Sequence, residues 1–209
     1  MAQQSVEPAL PAGTGKAPRT ARGEKTMRKI LDAALAEFGE KGFSDSSIVS
    51  ITTRAKVALG TFYTYFDSKE ALFAALVRDM SRRVKELVPP AVSDARDAMD
   101  AELRTQRAYL EFAAAHKEVY RIIDEAEFVD PEGFRAHYEA AASRIGARLA
   151  AGVESGQLRP ADPFETEVHS WAYMGMNVFL GLRFGVWERE DPGKVAAIAN
   201  RLLRRGLEA

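Results

Sequence analysis

Between Met27 and Met80 the chain sets four short stretches of helical periodicity so close together that few folds can hold them. Met27, Ile30, Leu31, Ala34, Leu35 and Phe38 recur at spacings of three and four, which lines them along one helical face. Gly39 and Gly42 are placed to end that helix. Ser46 and Ser47 are placed to cap a second helix, with Ile48, Ile51 and Ala55 turned inward. Only a turn's worth of chain separates it from a third segment at Val57, and two short helices joined this tightly make a helix-turn-helix. Asp67, with Glu70 three residues on, forms a capping box for a fourth helix that buries Leu72, Phe73, Leu76, Val77 and Met80.

Charge is distributed in step with this motif. The net charge of −1 divides into +6 from Lys16 to Lys85 (14 Lys and Arg against 8 Asp and Glu), −6 from Glu86 onward (15 against 21) and −1 from Glu7. Basic residues therefore gather where the helix-turn-helix lies, as neutralising phosphates requires, although a run such as Lys16, Arg19, Arg22, Lys25 and Arg28 could by itself be a solvated charge run. At 209 residues and 46% hydrophobic content the chain can hold one small and one medium domain. It has no Cys, hence neither a disulfide frame nor a thiolate metal site. The first eighteen residues, broken by Pro8, Pro11 and Pro18, lack the features of a signal peptide and read as a disordered tail of a cytoplasmic protein. The most apolar stretch, Trp171 to Trp187, is interrupted by Asn177 and Arg183, so no membrane span is expected.

The runs I-L-D-A-A-L-A-E-F-G-E-K-G-F (Ile30 to Phe43) and G-T-F-Y-T-Y-F-D-S-K-E-A-L-F (Gly60 to Phe73) resemble the TetR family of bacterial transcriptional repressors over about a quarter of the chain. The resemblance implies an all-α protein with an N-terminal helix-turn-helix DNA-binding domain and a C-terminal helical bundle for ligand binding and dimerisation. The expected divisions are a tail at 1–18, the DNA-binding domain at 19–66, a linking helix at 67–88 and the bundle at 89–209. Two positions depart from the family pattern. Lys56 stands where Gly is usual in the turn, and Ala58 where Ser or Thr opens the third helix, so the turn loses its permissive residue and the helix its side-chain cap. With Val57, Phe62 and Phe66 inward, Leu59, Gly60, Thr61, Tyr63 and Thr64 lie nearer the groove, and the resemblance assigns Tyr63 and Lys69 to phosphates. Arg22, Lys25, Ser46, Ser47, Arg54, Lys56 and Tyr65 complete the expected DNA-binding set. No Arg, Asn or Gln lies between 57 and 66, so direct hydrogen-bond readout of bases is expected to be modest.

Beyond Pro89 and Pro90 the chain reads all-α, with Asp130-Pro131, Asp162-Pro163 and Asp191-Pro192 as helix starts. Helices are expected near 93–116, 118–127, 131–155, 163–187 and 192–207. The fourth is apolar nearly all round: Phe164, Val168, Trp171, Gly175, Phe179, Leu182 and Val186 lie on one face, Tyr173, Met176, Leu180, Phe184 and Trp187 on another. The last carries a single stripe that includes Ile198 and Leu202. Two such helices from each of two chains would form an intermolecular four-helix bundle, with Tyr173, Met176, Leu180, Phe184, Trp187, Ile198 and Leu202 as the expected homodimer interface; the alternative is burial of both faces within one chain. A ligand site among the remaining helices would draw on Arg107, Tyr109, Phe112, His116, Tyr120, Tyr138, Trp171, Met174 and Asn177, most of which serve equally well as ordinary core. Asn177 is polar among apolar neighbours and needs a partner if buried: a ligand, a water or the other subunit.

Catalytic signatures are absent. His116, His137 and His169 are dispersed without metal-ligand spacing, and there is neither a nucleophile elbow nor a phosphate loop, so neither metal nor cofactor is expected. The reading is a repressor released from a near-palindromic DNA operator by a small hydrophobic or aromatic effector. A dimeric regulator without such a ligand is the alternative, and a helical-bundle enzyme a distant third.

Overall fold

The computed structural model describes residues 18–207, so most of the expected tail at 1–18 and the last two residues lie outside the described residues. The protein is helical throughout, with no β-strand among the described residues. Two compact units result. The chain passes between them after Ser81, Lys117 and His137, so that 118–137 clusters with the helix-turn-helix and not with the rest of the C-terminal half.

The N-terminal unit begins with α1 (Ala21–Lys41), capped by the Thr20 hydroxyl and ended by Gly42 at φ 85°. Gly39 does not end this helix as the sequence suggested. A Cβ there would lie 2.5 Å from the Glu118 Cβ, so Gly39 is instead the point of close approach to α7 (Glu118–Val129). The first helix of the motif, α2 (Ile48–Ala55), opens on a reciprocal Ser47–Ser50 capping box, and Lys56 closes it in the left-handed region at φ 56°. The second, α3 (Leu59–Tyr65), starts at Ala58 with no side-chain cap. Both departures read from the sequence are therefore real features of the turn: Lys56 adopts the conformation that Gly takes without steric cost. The support helix α4 (Lys69–Glu86) is opened by Ser68, whose hydroxyl accepts from the Ala71 N–H at 3.1 Å, in place of the expected Asp67.

The core of this unit is aromatic. Phe38, Phe62, Phe66 and Phe73 are fully buried, and the Phe73 ring meets Phe38 and Phe43 edge-on at centroid distances of 5.3 and 5.1 Å. Helix α7 adds Ile122, Ile123 and Ala126 to the buried residues and binds the end of α1 through its polar side. Glu125 accepts from the Phe43 N–H at 2.7 Å, and Arg121 donates to the Glu40 carbonyl at 3.1 Å. The second contact satisfies a carbonyl that the end of α1 leaves open.

The C-terminal unit holds a short turn α5 (Val88–Val92), α6 (Ala98–Ala115), most of α8 (Pro131–Glu154), α9 (Pro163–Leu180) and α10 (Pro192–Leu207). The long helix expected over 163–187 is divided: after Leu180 it widens into a π-helical segment, Gly181–Trp187, that brings Gly185 against Ala114 of α6. One apolar cluster centres on Met99, Ile145, Leu149, Leu158, Tyr173 and Met174, and a second on Leu110, Val195 and Ala196.

Candidate nucleic-acid interface and C-terminal site

The helix-turn-helix exposes an unusual mixture. Val49, Leu59 and Tyr63 are 62%, 47% and 48% exposed, and Arg22, Lys25, Ser47, Lys56, Gly60 and Thr64 are exposed around them. Thr61 is half-buried, as is Tyr65, whose hydroxyl lies beside Gly23 at the start of α1. Three expected contacts are already engaged within the protein. Ser46 is buried, its hydroxyl donating to the Gly42 carbonyl at 2.6 Å, so it holds the turn and does not face solvent. Lys69 donates to the Phe43 and Ser46 carbonyls at 2.7 and 2.8 Å, with its ammonium 4.2 Å from the centre of the Phe43 ring. Arg54 forks onto Glu40 and places its Nε 3.1 Å from buried Glu37.

These ties shift the carboxylates as expected. The hydrogen bond from Lys41 holds Glu37 below the usual carboxylate range despite its burial, and the Arg54 fork does the same for Glu40. A network Lys41–Glu37–Arg54–Glu40 thus joins α1 to α2 and fixes the first helix of the motif. Arg28 makes the matching tie to α4, bidentate to Asp79 at 2.8 Å. Val49 escaped the sequence reading because it lies off the inward stripe of Ile48, Ile51 and Ala55; the only signal was an apolar residue on the wrong side of an amphipathic helix.

The C-terminal unit buries several polar side chains beside its apolar clusters. Buried Glu102 forms a bidentate pair with the half-buried Arg148 at 2.6 and 2.9 Å, and the Tyr173 hydroxyl donates to the Glu102 carbonyl at 2.8 Å. Burial pushes the Tyr173 hydroxyl well above its usual pKa. The Asn177 side-chain oxygen accepts from Gln106 Nε2 at 2.8 Å, which answers the question its position posed, but the fully buried Gln106 leaves its own Oε1 without a partner. Asn200 donates to the Met99 carbonyl at 2.9 Å, and Asp100, accepting from the Arg96 N–H, is held at about 2.

The expected ligand and interface residues partly exchange places. Trp171, expected as a ligand wall, is 42% exposed, while Tyr173, expected at the dimer interface, is 2% exposed because its hydroxyl needs the interior carbonyl of Glu102. Met174 is core. Tyr138 and Tyr109 pack against the two clusters, and Phe112 lies against His116 at 4.7 Å. Arg107 is exposed and paired with Glu111, and Tyr120 belongs to the N-terminal unit. Met176, Leu180, Phe184, Ile198 and Leu202 line an open apolar groove of about 490 Å³ with Val195. Trp187, Phe164, Val168 and Phe179 are exposed as well, and a Cβ at Gly175 would meet nothing. No cluster of His, Asp or Glu among the described residues is arranged to hold a metal, and no described helix is long and apolar enough to cross a membrane.

Known proteins share both sequence and fold with this chain. The family model for bacterial regulatory proteins of the tetR family matches residues 30–76. A helix-turn-helix-type transcriptional regulator of Mycobacterium tuberculosis is 31% identical over 180 residues, covering 86% of this chain and 80% of that protein. The chain belongs to the TetR family of bacterial transcriptional regulators. Another such regulator, from Bacillus subtilis, is 28% identical over 190 residues, spanning 89% of this TetR-family chain and 94% of its relative. Among solved structures, the fatty acid degradation regulator FadR of Bacillus halodurans superposes with a TM-score of 0.74 at 19% identity, covering 85% of this chain and 94% of that one. A complex of SmeT with triclosan superposes with a TM-score of 0.71 at 19% identity, covering 88% and 92%. The TetR-family architecture, a helix-turn-helix followed by a helical C-terminal region, is thereby shown for this DNA-binding regulator.

Proposed function

We propose that this regulator is a homodimeric repressor that leaves a near-palindromic operator when a small apolar or aromatic effector binds its C-terminal unit. The observation that carries the reading is the apolar face of α9 and α10. Ile198 and Leu202 share an open apolar groove with Met176, Leu180 and Phe184; Phe164, Trp171 and Phe179 are large and exposed on α9, and apolar surface of that kind marks an association site. A second copy of the same face makes a closed, symmetric pair, which presents two readers to two half-sites about 34 Å apart or a multiple of that.

The effector part of the reading is supported by the buried Gln106 oxygen, an acceptor that an unpaired interior position leaves at a cost. An effector with one hydrogen-bond donor on an apolar or aromatic body suits it. The triclosan bound by SmeT, a phenol on an aromatic body, is of that general character. To release DNA, the effector must favour the non-binding conformation; tenfold weaker operator affinity needs about 1.4 kcal/mol of differential binding.

Sedimentation at micromolar concentration tests the dimer, and a folded monomer there would refute it. Thermal-shift screening against fatty acids and phenols, followed by operator-release assays on the hits, tests the effector. A panel that neither stabilises the protein nor releases DNA leaves a dimeric regulator without a small-molecule ligand.

A further inference from the structure

Which DNA the helix-turn-helix prefers follows from the groups it leaves for the bases, on the reading that this surface meets the major groove. Large aliphatic side chains gain little from standing in water, yet Val49 on α2 and Leu59 at the start of α3 do so at 62% and 47% exposure. The surrounding Arg22, Lys25 and Lys56 are cationic and exposed, which fits a polyanionic partner and not an apolar one.

The forked and amide readers are missing or occupied. The segment Leu59–Tyr65 contains no Arg, Asn or Gln, and the one Arg of α2, Arg54, is forked onto Glu40 and faces Glu37. The Thr52 and Thr53 hydroxyls both donate to the Val49 carbonyl, and Ser47 and Ser50 are spent on each other. A guanidinium fork on guanine or an amide on adenine is therefore not available from these two helices. What the major groove offers an aliphatic side chain is the C5 methyl of thymine. We infer that Val49 and Leu59 read thymine methyls, and that apolar contact, not hydrogen bonding, sets the sequence preference of this regulator.

The full-length protein, a randomised duplex library and deoxyuridine provide the test, since deoxyuridine keeps every hydrogen-bonding group of thymidine and lacks only the methyl. Selection should enrich half-sites with thymines at fixed positions. Replacing a contacted thymine by deoxyuridine should weaken binding about three- to fivefold per methyl, the scale of one buried methyl-sized group. Leu59→Ala and Val49→Ala, both at exposed sites and checked for folding by thermal melting, should each erase the thymine-to-uracil ratio at one position and keep it at the other. Equal affinity for thymine and uracil duplexes, or an unchanged ratio in both variants, overturns the methyl reading while leaving DNA binding in place. Failure of any duplex to enrich, with no loss of binding as salt rises, overturns the placement of this surface on DNA as well.

Discussion

The two units of this protein differ in what they bury and in what they leave in water. In the N-terminal unit four phenylalanines are fully buried and polar groups tie one element to the next, as Glu125 does at the Phe43 N–H, while Val49, Leu59, Tyr63 and Phe128 stay exposed. In the C-terminal unit Glu102, Gln106, Asn177 and Asn200 are inside while Phe164, Trp171, Phe179 and Trp187 face out. A surface that leaves its aromatics in water is unfinished in one chain, whereas an interior that holds polar side chains must fix their geometry to repay their desolvation.

That contrast can be broken at four points, taken in order of expected effect. Glu102→Ala strands the Arg148 guanidinium in the interior and should cost about 3–5 kcal/mol in denaturant melts; a loss under 1 kcal/mol would show that the polar interior is not held as described. Leu202→Glu places a carboxylate on the apolar face of α10 and should lower the association constant by about two orders of magnitude in sedimentation, because the charge is desolvated at both copies of a twofold contact. Retention of the dimer would move the interface elsewhere.

In the N-terminal unit the expected effects are smaller. Gly39→Ala drives a methyl into the Glu118 Cβ and should cost about 1–3 kcal/mol, read from thermal unfolding. Lys56→Gly relieves a left-handed lysine and should stabilise by about 1 kcal/mol; a destabilised variant would mean that the Lys56 side chain does more for the turn than its backbone costs.

Legibility in the sequence follows the same division. The helix-turn-helix could be read because periodicity, glycine spacing and capping serines act over a few residues, and the departures at Lys56 and Ala58 were visible for the same reason. Errors there were of one residue or one role: Ser68 for Asp67 as the cap of α4, and close packing for helix termination at Gly39. In the C-terminal half the helices were legible but their facing was not. Trp171 and Tyr173 are two positions apart on a helix apolar on both sides, and it is Tyr173, packed in the apolar cluster with its hydroxyl on the Glu102 carbonyl, that turns inward. Pairings such as Glu102 with Arg148 and Gln106 with Asn177 join residues 46 and 71 positions apart, beyond any local pattern. The assignment of α7 to the N-terminal unit likewise rests on Arg121 and Glu125 meeting the end of α1.

The ties that hold the helix-turn-helix together also change how its charge should be counted. Arg28, Lys41, Arg54 and Lys69 belong to the basic half of the chain, and each is bound to a carboxylate or to carbonyls of its own unit. Such cations have less to give to a duplex, so the number of ions set free on binding should fall short of what the 14 basic residues of that half suggest. Affinity for DNA should therefore fall less steeply with salt than a count of all those basic residues would give.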